Sequence, residues 1–315
     1  MRALRYDSFG PVASVARLTE TAQPRPGPGQ VLVRVQYAAI NPLDWKLVEG
    51  EFKLIFKSRP PAGIGTEFSG IVEALGSGVT VPKIGTPVVG FINPTVRPPG
   101  ALQQFVALDG KDVVQVDAAF LEAACTLPVA GVSALQMCRL ADVKGGDRVL
   151  VHGAAGGVGS FAVQIVRVLG GRPVATGSGL SQPVLAALEA EAQVNYATQP
   201  VSSWGGPFHV VLDCASTLGP TDVAALLPNG GRYVRTLPAF PSVLLDPLLN
   251  VTRPIKRFTL RLKPNAEDVR TLFNWMRRGR IKPLICERFA FADAVAALGA
   301  SRAGRSHGKL VVRVG

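Results

Sequence analysis

The sequence predicts an α/β protein in two parts, a β-rich domain of short strands and a doubly wound domain built on a parallel sheet. Three observations carry this. A glycine-rich turn, VLVHGAAGGVGS over Val149 to Ser160, joins an apolar strand to an apolar helical run. Beyond it strand-like and helix-like segments alternate, the pattern of right-handed βαβ units. Before it, short alternating runs are separated by Pro and Gly clusters.

Taken in order, Arg2 to Tyr6, Gln30 to Tyr37, Gly70 to Leu75 and Pro87 to Phe91 read as strands of a barrel-like N-terminal domain. From Ala119 the pattern turns helical up to Lys144-Gly145-Gly146-Asp147. Val149 to Val151 then form a strand buried on both faces, and Phe161 to Leu169 resume as helix. Between them Gly153, Gly156, Gly157 and Gly159, with Ala155 and Val158, allow a tight turn. Their backbone N–H groups and the helix N-terminus suit a pyrophosphate, so this is a candidate dinucleotide site. The spacing is G-x-x-G-G-x-G and departs from G-x-G-x-x-G, so the flanking strand and helix carry the assignment. A second strand follows at Pro173 to Thr176. Further strands are expected at Gln193 to Ala197, His209 to Cys214, Gly231 to Leu237 and Arg257 to Lys263. A helix is expected near Glu267 to Arg278. The segments Ile281 to Ile285 and Lys309 to Val314 are β-like and return to complete the first domain.

Past the second strand the sequence runs Thr176-Gly177-Ser178-Gly179-Leu180-Ser181-Gln182, without the carboxylate that binds the ribose hydroxyls of NAD. Small residues and hydroxyls there leave room for a 2′-phosphate, which predicts NADPH over NADH. The nearest basic residue in sequence, Arg172, is at the wrong end of the strand.

The 315 residues are 47% hydrophobic with 34 Gly and 25 Pro, which suits a turn-rich globular chain and excludes a disordered or fibrous one. MRALRYDSFG has charges and no apolar core, and no apolar run approaches the roughly 18 residues of a membrane helix, so the expected location is cytoplasmic, with no membrane span. The scattered Cys125, Cys138, Cys214 and Cys286 suggest buried thiols rather than a disulfide or zinc framework. His152, His209 and His307 are dispersed and read as structural or solvated. The net charge of +12 is concentrated between Arg253 and Lys282. With no RNA-binding signature beside it, this reads as a solvated basic surface, and specific nucleic-acid binding is not expected.

Several motifs in one order now resemble a family: Asn41-Pro42-Leu43-Asp44-Trp45-Lys46 with Gly50; GTEFSGIVEALGSGV from Gly65 to Val79; LPVAGVSALQ from Leu127 to Gln136; AAGGVG from Ala154 to Gly159; Asn195-Tyr196; and Gly308-Lys309-Leu310-Val311-Val312. The chain resembles a zinc-free medium-chain dehydrogenase/reductase, nearest the quinone oxidoreductases and alkenal reductases. The resemblance implies a GroES-like β-barrel catalytic domain (1–125, completed by 283–315), a Rossmann domain (126–282), a substrate cleft between them, and a homodimer. Zinc members carry a cysteine near Asn41 and a His-Glu pair where this chain has Thr66-Glu67. They also need a run of four close cysteines, so no metal is expected here and Glu67 reads as a structural carboxylate.

The resemblance also implies site roles. Asn41 offers an amide donor to a substrate carbonyl or cofactor hydroxyl, and Lys46, where relatives have Tyr, a charged donor for a developing enolate. The same residues also fit a plain Asn-Pro turn and a surface charge. Tyr196 would pack at the adenosine end, Ser181 stands where relatives carry a Lys for the 2′-phosphate, and Ser133 matches a hydroxyl near the nicotinamide. Asp213-Cys214 ends a strand on the cofactor face. The expected activity is NADPH-dependent hydride transfer to a quinone or to the β-carbon of an α,β-unsaturated carbonyl. The contrasting reading is a non-catalytic NADPH-binding protein whose basic surface binds RNA or a protein partner. Substrate-pocket residues are expected within Phe52 to Phe56, Phe91 to Arg97 and Val243 to Leu249.

Overall fold

The computed structural model describes residues 1–53, 59–93, 100–237, 242–304 and 306–315, the side chains of 242–244 aside. Residues 54–56 and 94–97 of the expected pocket, and the side chains of Val243 and Leu244, lie outside the described set. The strands are β1 Arg2–Tyr6, β2 Ala16–Glu20, β3 Gln30–Ile40, β4 Ala62–Gly63, β5 Glu67–Leu75, β6 Pro87–Phe91, β7 Phe105–Asp109 and β8 Val113–Gln115. They continue with β9 Arg148–His152, β10 Arg172–Gly177, β11 Ala192–Asn195, β12 Val210–Asp213, β13 Arg232–Arg235, β14 Lys256–Thr259, β15 Ile285–Ala290 and β16 Lys309–Arg313.

Two compact units result, one of Met1–Val129, Pro264–Asn274 and Ile285–Gly315, the other of Ala130–Lys263 and Trp275–Leu284. The helix Ala266–Arg277 goes with the first unit as far as Asn274, and there Phe273 meets Phe120 edge-on at 6.0 Å.

In the first unit the main sheet runs β15-β16-β3-β5-β6-β8, with β7 also on β3, and a small sheet runs β2-β1-β4. The alternation VLVRVQY in β3 puts Val31, Val33 and Val35 into the core with Phe68, Val72 and Val312. Burial of each such side chain contributes about 1.5–3 kcal/mol. The C-terminal strand β16 lies antiparallel to β3, with Leu310 opposite Ile40, and β5 lies on the other side of β3 with Glu67 opposite Ala39. Register thus gathers the end of β3 and the starts of β5 and β16 at one place.

The second unit holds one sheet, β11-β10-β9-β12-β13-β14, parallel throughout. In chain order this is 3-2-1-4-5-6, the Rossmann arrangement, whose ligand crevice lies beyond the strand ends on either side of its first strand. Leu150, Val174, Val211 and Phe208 fill one core of this unit. The helix Gly157–Val168 buries Phe161, Ala162, Ile165 and Val166.

Some local expectations need correction. The strands β2, β4, β7 and β8 were not anticipated, and helix after the glycine turn begins at Gly157, not Phe161. The last return begins at Ile285 rather than Ile281; Pro283 just before it has no N–H for a ladder. Of the four thiols, all free, Cys125 and Cys138 are buried, Cys214 is partly so, and Cys286 is exposed. In the basic run, Arg253 pairs with Asp246 at 2.5 Å and Lys256 donates to the Asn250 carbonyl, so part of that charge is tied down locally.

Candidate active site

The glycine turn stands at the C-terminal end of β9. Gly153 has φ +74°, a conformation open to glycine, and a Cβ there would meet the Ala215 Cβ at 3.0 Å. A Cβ on Gly159 would lie 2.2 Å from the Gly153 carbonyl oxygen, so helix and turn close on each other to a distance only glycine permits. Gly156 is the helix N-cap, and the first intrahelical closure is Ser160 N–H donating to the Gly156 carbonyl at 2.9 Å. The N–H groups of Gly157, Val158 and Gly159 precede it and, as at any helix start, are open to an anion; buried Ala155 lies in the turn ahead of them. The cradle fits a dinucleotide pyrophosphate: a bare backbone surface, a helix dipole, and a position at the crevice of the parallel sheet.

The residues expected at the adenosine end divide. Thr176 is buried at the end of β10, where its Oγ1 meets His152 Nδ1 at 2.7 Å and accepts from Gly153 N–H at 3.3 Å. Ser181 is also buried and donates its hydroxyl to the Ser178 carbonyl at 2.7 Å, which corrects its placement as a group presented to a 2′-phosphate. Ser178 is half-buried in extended conformation before a short 3₁₀ turn, and Tyr196 is 45% exposed with its ring edge toward His152. Cys214 follows β12, its thiol pushed well up by burial and by Asp213. Ser133 is buried on the helix Val132–Leu140, which packs against Gly157–Val168.

In the first unit the strand ends assemble a buried polar cluster. Pro42 starts the short helix Pro42–Val48, and Asp44 in its first turn reaches back to accept the Asn41 backbone N–H at 2.7 Å. The Asn41 side chain turns inward. Its Nδ2 donates to Glu67 Oε1 at 2.9 Å and Thr66 Oγ1 at 3.3 Å, and its Oδ1 accepts from Lys309 Nζ at 2.6 Å. Lys309 also donates to Glu67 Oε1 at 2.8 Å and to the Ile40 carbonyl at 2.9 Å, completing three bonds for its three hydrogens. Glu67 Oε2 accepts from Val129 N–H at 2.7 Å, and Thr66 donates to Asp44 Oδ1 at 2.9 Å. Burial pushes the Asp44 pKa up to about 7, against the pull of its hydrogen bonds and of Lys309.

This geometry revises the part expected of Asn41. Both amide hydrogens are engaged inside the cluster, so the side chain offers no free donor to a substrate carbonyl. Lys46, on the next turn of backbone, points elsewhere: its Nζ pairs with Glu51 at 2.6 Å and lies 4.8 Å from the Trp45 ring centroid. The two expected catalytic residues therefore have different partners. Glu67 was legible as a structural carboxylate, but its cation was not. The available signal was a pair of charges, Glu67 and Lys309, each at the start of a strand that continues into buried apolar residues, where burial demands a partner. Among the described residues no group of three or more His, Cys, Asp or Glu side chains is placed to hold a metal ion.

Comparison with known proteins matches residues 27–118 to the alcohol dehydrogenase GroES-like domain and residues 188–312 to the zinc-binding dehydrogenase family. A 2-methylene-furan-3-one reductase of Solanum lycopersicum is 30% identical over 99% of this chain and 79% of its own length. A chloroplastic quinone oxidoreductase of Triphysaria versicolor is 28% identical over 99% of this chain and 98% of its own. The solved quinone oxidoreductase of Coxiella burnetii superposes with a TM-score of 0.88 at 30% identity, covering 100% of this chain and 99% of that one. The architecture is thus a GroES-like domain with a Rossmann domain, a fold that implies a nicotinamide cofactor. No single described helix is long and apolar enough to cross a membrane.

Proposed function

Because the chain belongs to the medium-chain dehydrogenase/reductase superfamily, we propose that it is an NADPH-dependent reductase of quinones or of α,β-unsaturated carbonyls, working without zinc. The observation that carries this reading is the Gly153 to Gly159 cradle at the crevice of the parallel sheet. When bound, the reduced nicotinamide supplies a hydride to an electron-poor carbon. Gly157, Val158 and Gly159 hold the pyrophosphate through backbone N–H groups. The absence of an acid at Ser178 leaves room for a 2′-phosphate and favours NADPH.

In the first unit Lys46 is the charged donor, held by Glu51 and Trp45, that would face an oxygen gaining negative charge. Asn41 is recast as a residue that positions this loop through Glu67 and Lys309. Glu67 is already bound by an ammonium, which supports a reaction that does not use it as a metal ligand. A conjugated acceptor suits such a site, since delocalisation leaves less charge for the protein to stabilise. The homodimer and the cytoplasmic location belong to the same reading.

Turnover of NADPH against a panel of quinones, enals and saturated aldehydes tests it, together with titrations of NADPH and NADH. Oxidation of NADPH by the conjugated acceptors after exhaustive chelation is expected. Equal or tighter binding of NADH, or a stoichiometric zinc required for turnover, would refute the corresponding part.

A further inference from the structure

His152 occupies an unusual place for a buried imidazole. It is the last residue of β9, the strand between β10 and β12, and both ring nitrogens are bonded sideways to those neighbours. Nδ1 lies 2.7 Å from Thr176 Oγ1 at the end of β10, and Nε2 lies 2.8 Å from Thr217 Oγ1 in the loop after β12. The ring stacks on Trp204 at 5.4 Å between centroids and takes the edge of Tyr196 at 5.6 Å.

The hydrogen bonds fix a direction. Thr176 Oγ1 already accepts from Gly153 N–H, so its one hydrogen is best used on Nδ1, which leaves Nε2–H to donate to Thr217. That neutral tautomer satisfies each group. Burial lowers the His152 pKa against the opposing pull of Asp213 and Asp222, consistent with a neutral ring.

What the ring braces is the wall of the cofactor cradle. Ala215, two residues before Thr217, lies over Gly153, where it leaves no room for a side chain. Between them Ser216 has φ +57°, a costly conformation for a residue with a Cβ. The far side of the loop is held by Ser216 Oγ, which accepts from Thr236 N–H at 3.1 Å and Leu237 N–H at 2.9 Å. The near side is held at the Thr217 side chain by His152, and at the backbone by Asp213, whose carboxylate accepts from Thr217 N–H at 3.4 Å and Leu218 N–H at 3.0 Å.

We infer that His152 is a positioning residue for the nicotinamide dinucleotide: without touching it, the ring locks the loop Cys214 to Thr217 and the Gly153 amide into the binding conformation. This rests on the cofactor assignment above. Cofactor affinity, rather than the chemical step, then depends on the brace.

The variants His152→Phe, which keeps a ring against Trp204 but bonds neither threonine, and Thr217→Val, which alters an exposed side chain, test it in the full-length protein. Dissociation constants for NADPH should rise about tenfold in the first and about threefold in the second, with the double variant no weaker than His152→Phe alone. The kcat at saturating NADPH should stay within about twofold. Amide hydrogen exchange over residues 214–218, measured without nucleotide, should quicken in each variant. His152→Gln, with one acceptor and one donor, should restore part of the affinity. Unchanged affinity and unchanged exchange in a folded Thr217→Val or His152→Phe would overturn the brace while leaving the cofactor assignment standing. If the unaltered protein binds neither NADPH nor NADH, the cofactor assignment itself fails and the inference with it. If His152→Phe does not fold, Thr217→Val decides alone.

Discussion

Lys309 Nζ stands 2.8 Å from Glu67 Oε1 although the two residues are 242 positions apart in the chain, and both side chains are buried. The pair joins β5 to β16, the last strand of the GroES-like sheet, across β3 between them, since Lys309 begins β16 and Glu67 begins β5. Burying such a pair gives little net stability over an apolar alternative, but removing one partner strands the other charge.

Lys309→Met should accordingly destabilise the protein by about 3–5 kcal/mol, because Glu67 keeps only the Asn41 amide and the Val129 N–H as donors. The double variant Lys309→Met, Glu67→Gln should recover part of that loss. Urea denaturation followed by circular dichroism measures both. A loss below about 1 kcal/mol in the single variant would mean that water or another cation reaches Glu67.

Asp44 gives this cluster a pH dependence. Its folded pKa of about 7 lies above the unfolded carboxylate value near 3.8, so between those values the folded state holds the extra proton. This contribution is fully present below pH ~4 and is lost as pH rises through ~7, with a limiting slope of about 1.4 kcal/mol per pH unit. Asp44→Asn imitates the protonated acid toward Thr66 and should remove that slope. Denaturation midpoints from pH 5 to 8 that run parallel in the two proteins would contradict the assignment.

How far the sequence could be read depended on the range of each interaction. The glycine turn is local: strand, turn and helix follow within twenty residues, and the residues expected to form it do so. The same holds for the sheet alternation that gives the parallel order. The cluster around Asn41 is not local. Its parts come from β3, β5 and β16, and only the register of three strands shows that the Asn41 amide serves Glu67 and Lys309. Ser181 failed for a different reason. A hydroxyl at a strand-to-helix turn can serve a ligand or its own backbone, and here it is buried and donates to the Ser178 carbonyl.

Within the turn, two glycine substitutions should separate by geometry. Gly159→Ala drives its Cβ to 2.2 Å from the Gly153 carbonyl and should abolish NADPH binding and lower Tm by several degrees. Gly156→Ala meets the same oxygen at 3.4 Å, with φ −75°, and should fold normally with only the modest cost of a poorer N-cap, about 1 kcal/mol or less. Calorimetric melts and nucleotide titrations of the two proteins check this contrast. Equal behaviour would show that the close approach is not what fixes the cradle.

Cofactor choice should turn on Ser178. Ser178→Asp places a carboxylate in the half-buried position just beyond β10, where it would accept from ribose hydroxyls and repel a 2′-phosphate. The ratio of NADH to NADPH affinity should rise on the order of tenfold. Thr176→Val, which removes a hydroxyl already engaged by His152, should weaken both cofactors alike. A ratio unmoved by Ser178→Asp would place the specificity elsewhere.

The reaction itself should depend on Lys46 more than on Asn41. Lys46, half-buried on the helix Pro42–Val48, is fixed by Glu51 and Trp45, whereas the Asn41 amide has no hydrogen left over. An enolate or hydroquinone anion spreads its charge, and water can replace a single donor in part. Lys46→Ala should therefore lower kcat by roughly 10² or less, and Glu51→Gln, which frees the ammonium to wander, by a smaller factor. Asn41→Ala should act through the fold of its loop, so that its loss of activity tracks a loss of stability measured on the same protein. Enals and quinones should be reduced while saturated alcohols and aldehydes are not. Full activity of the Lys46→Ala variant with every acceptor would remove this loop from the chemistry and leave the Rossmann cradle as the only assigned part of the site.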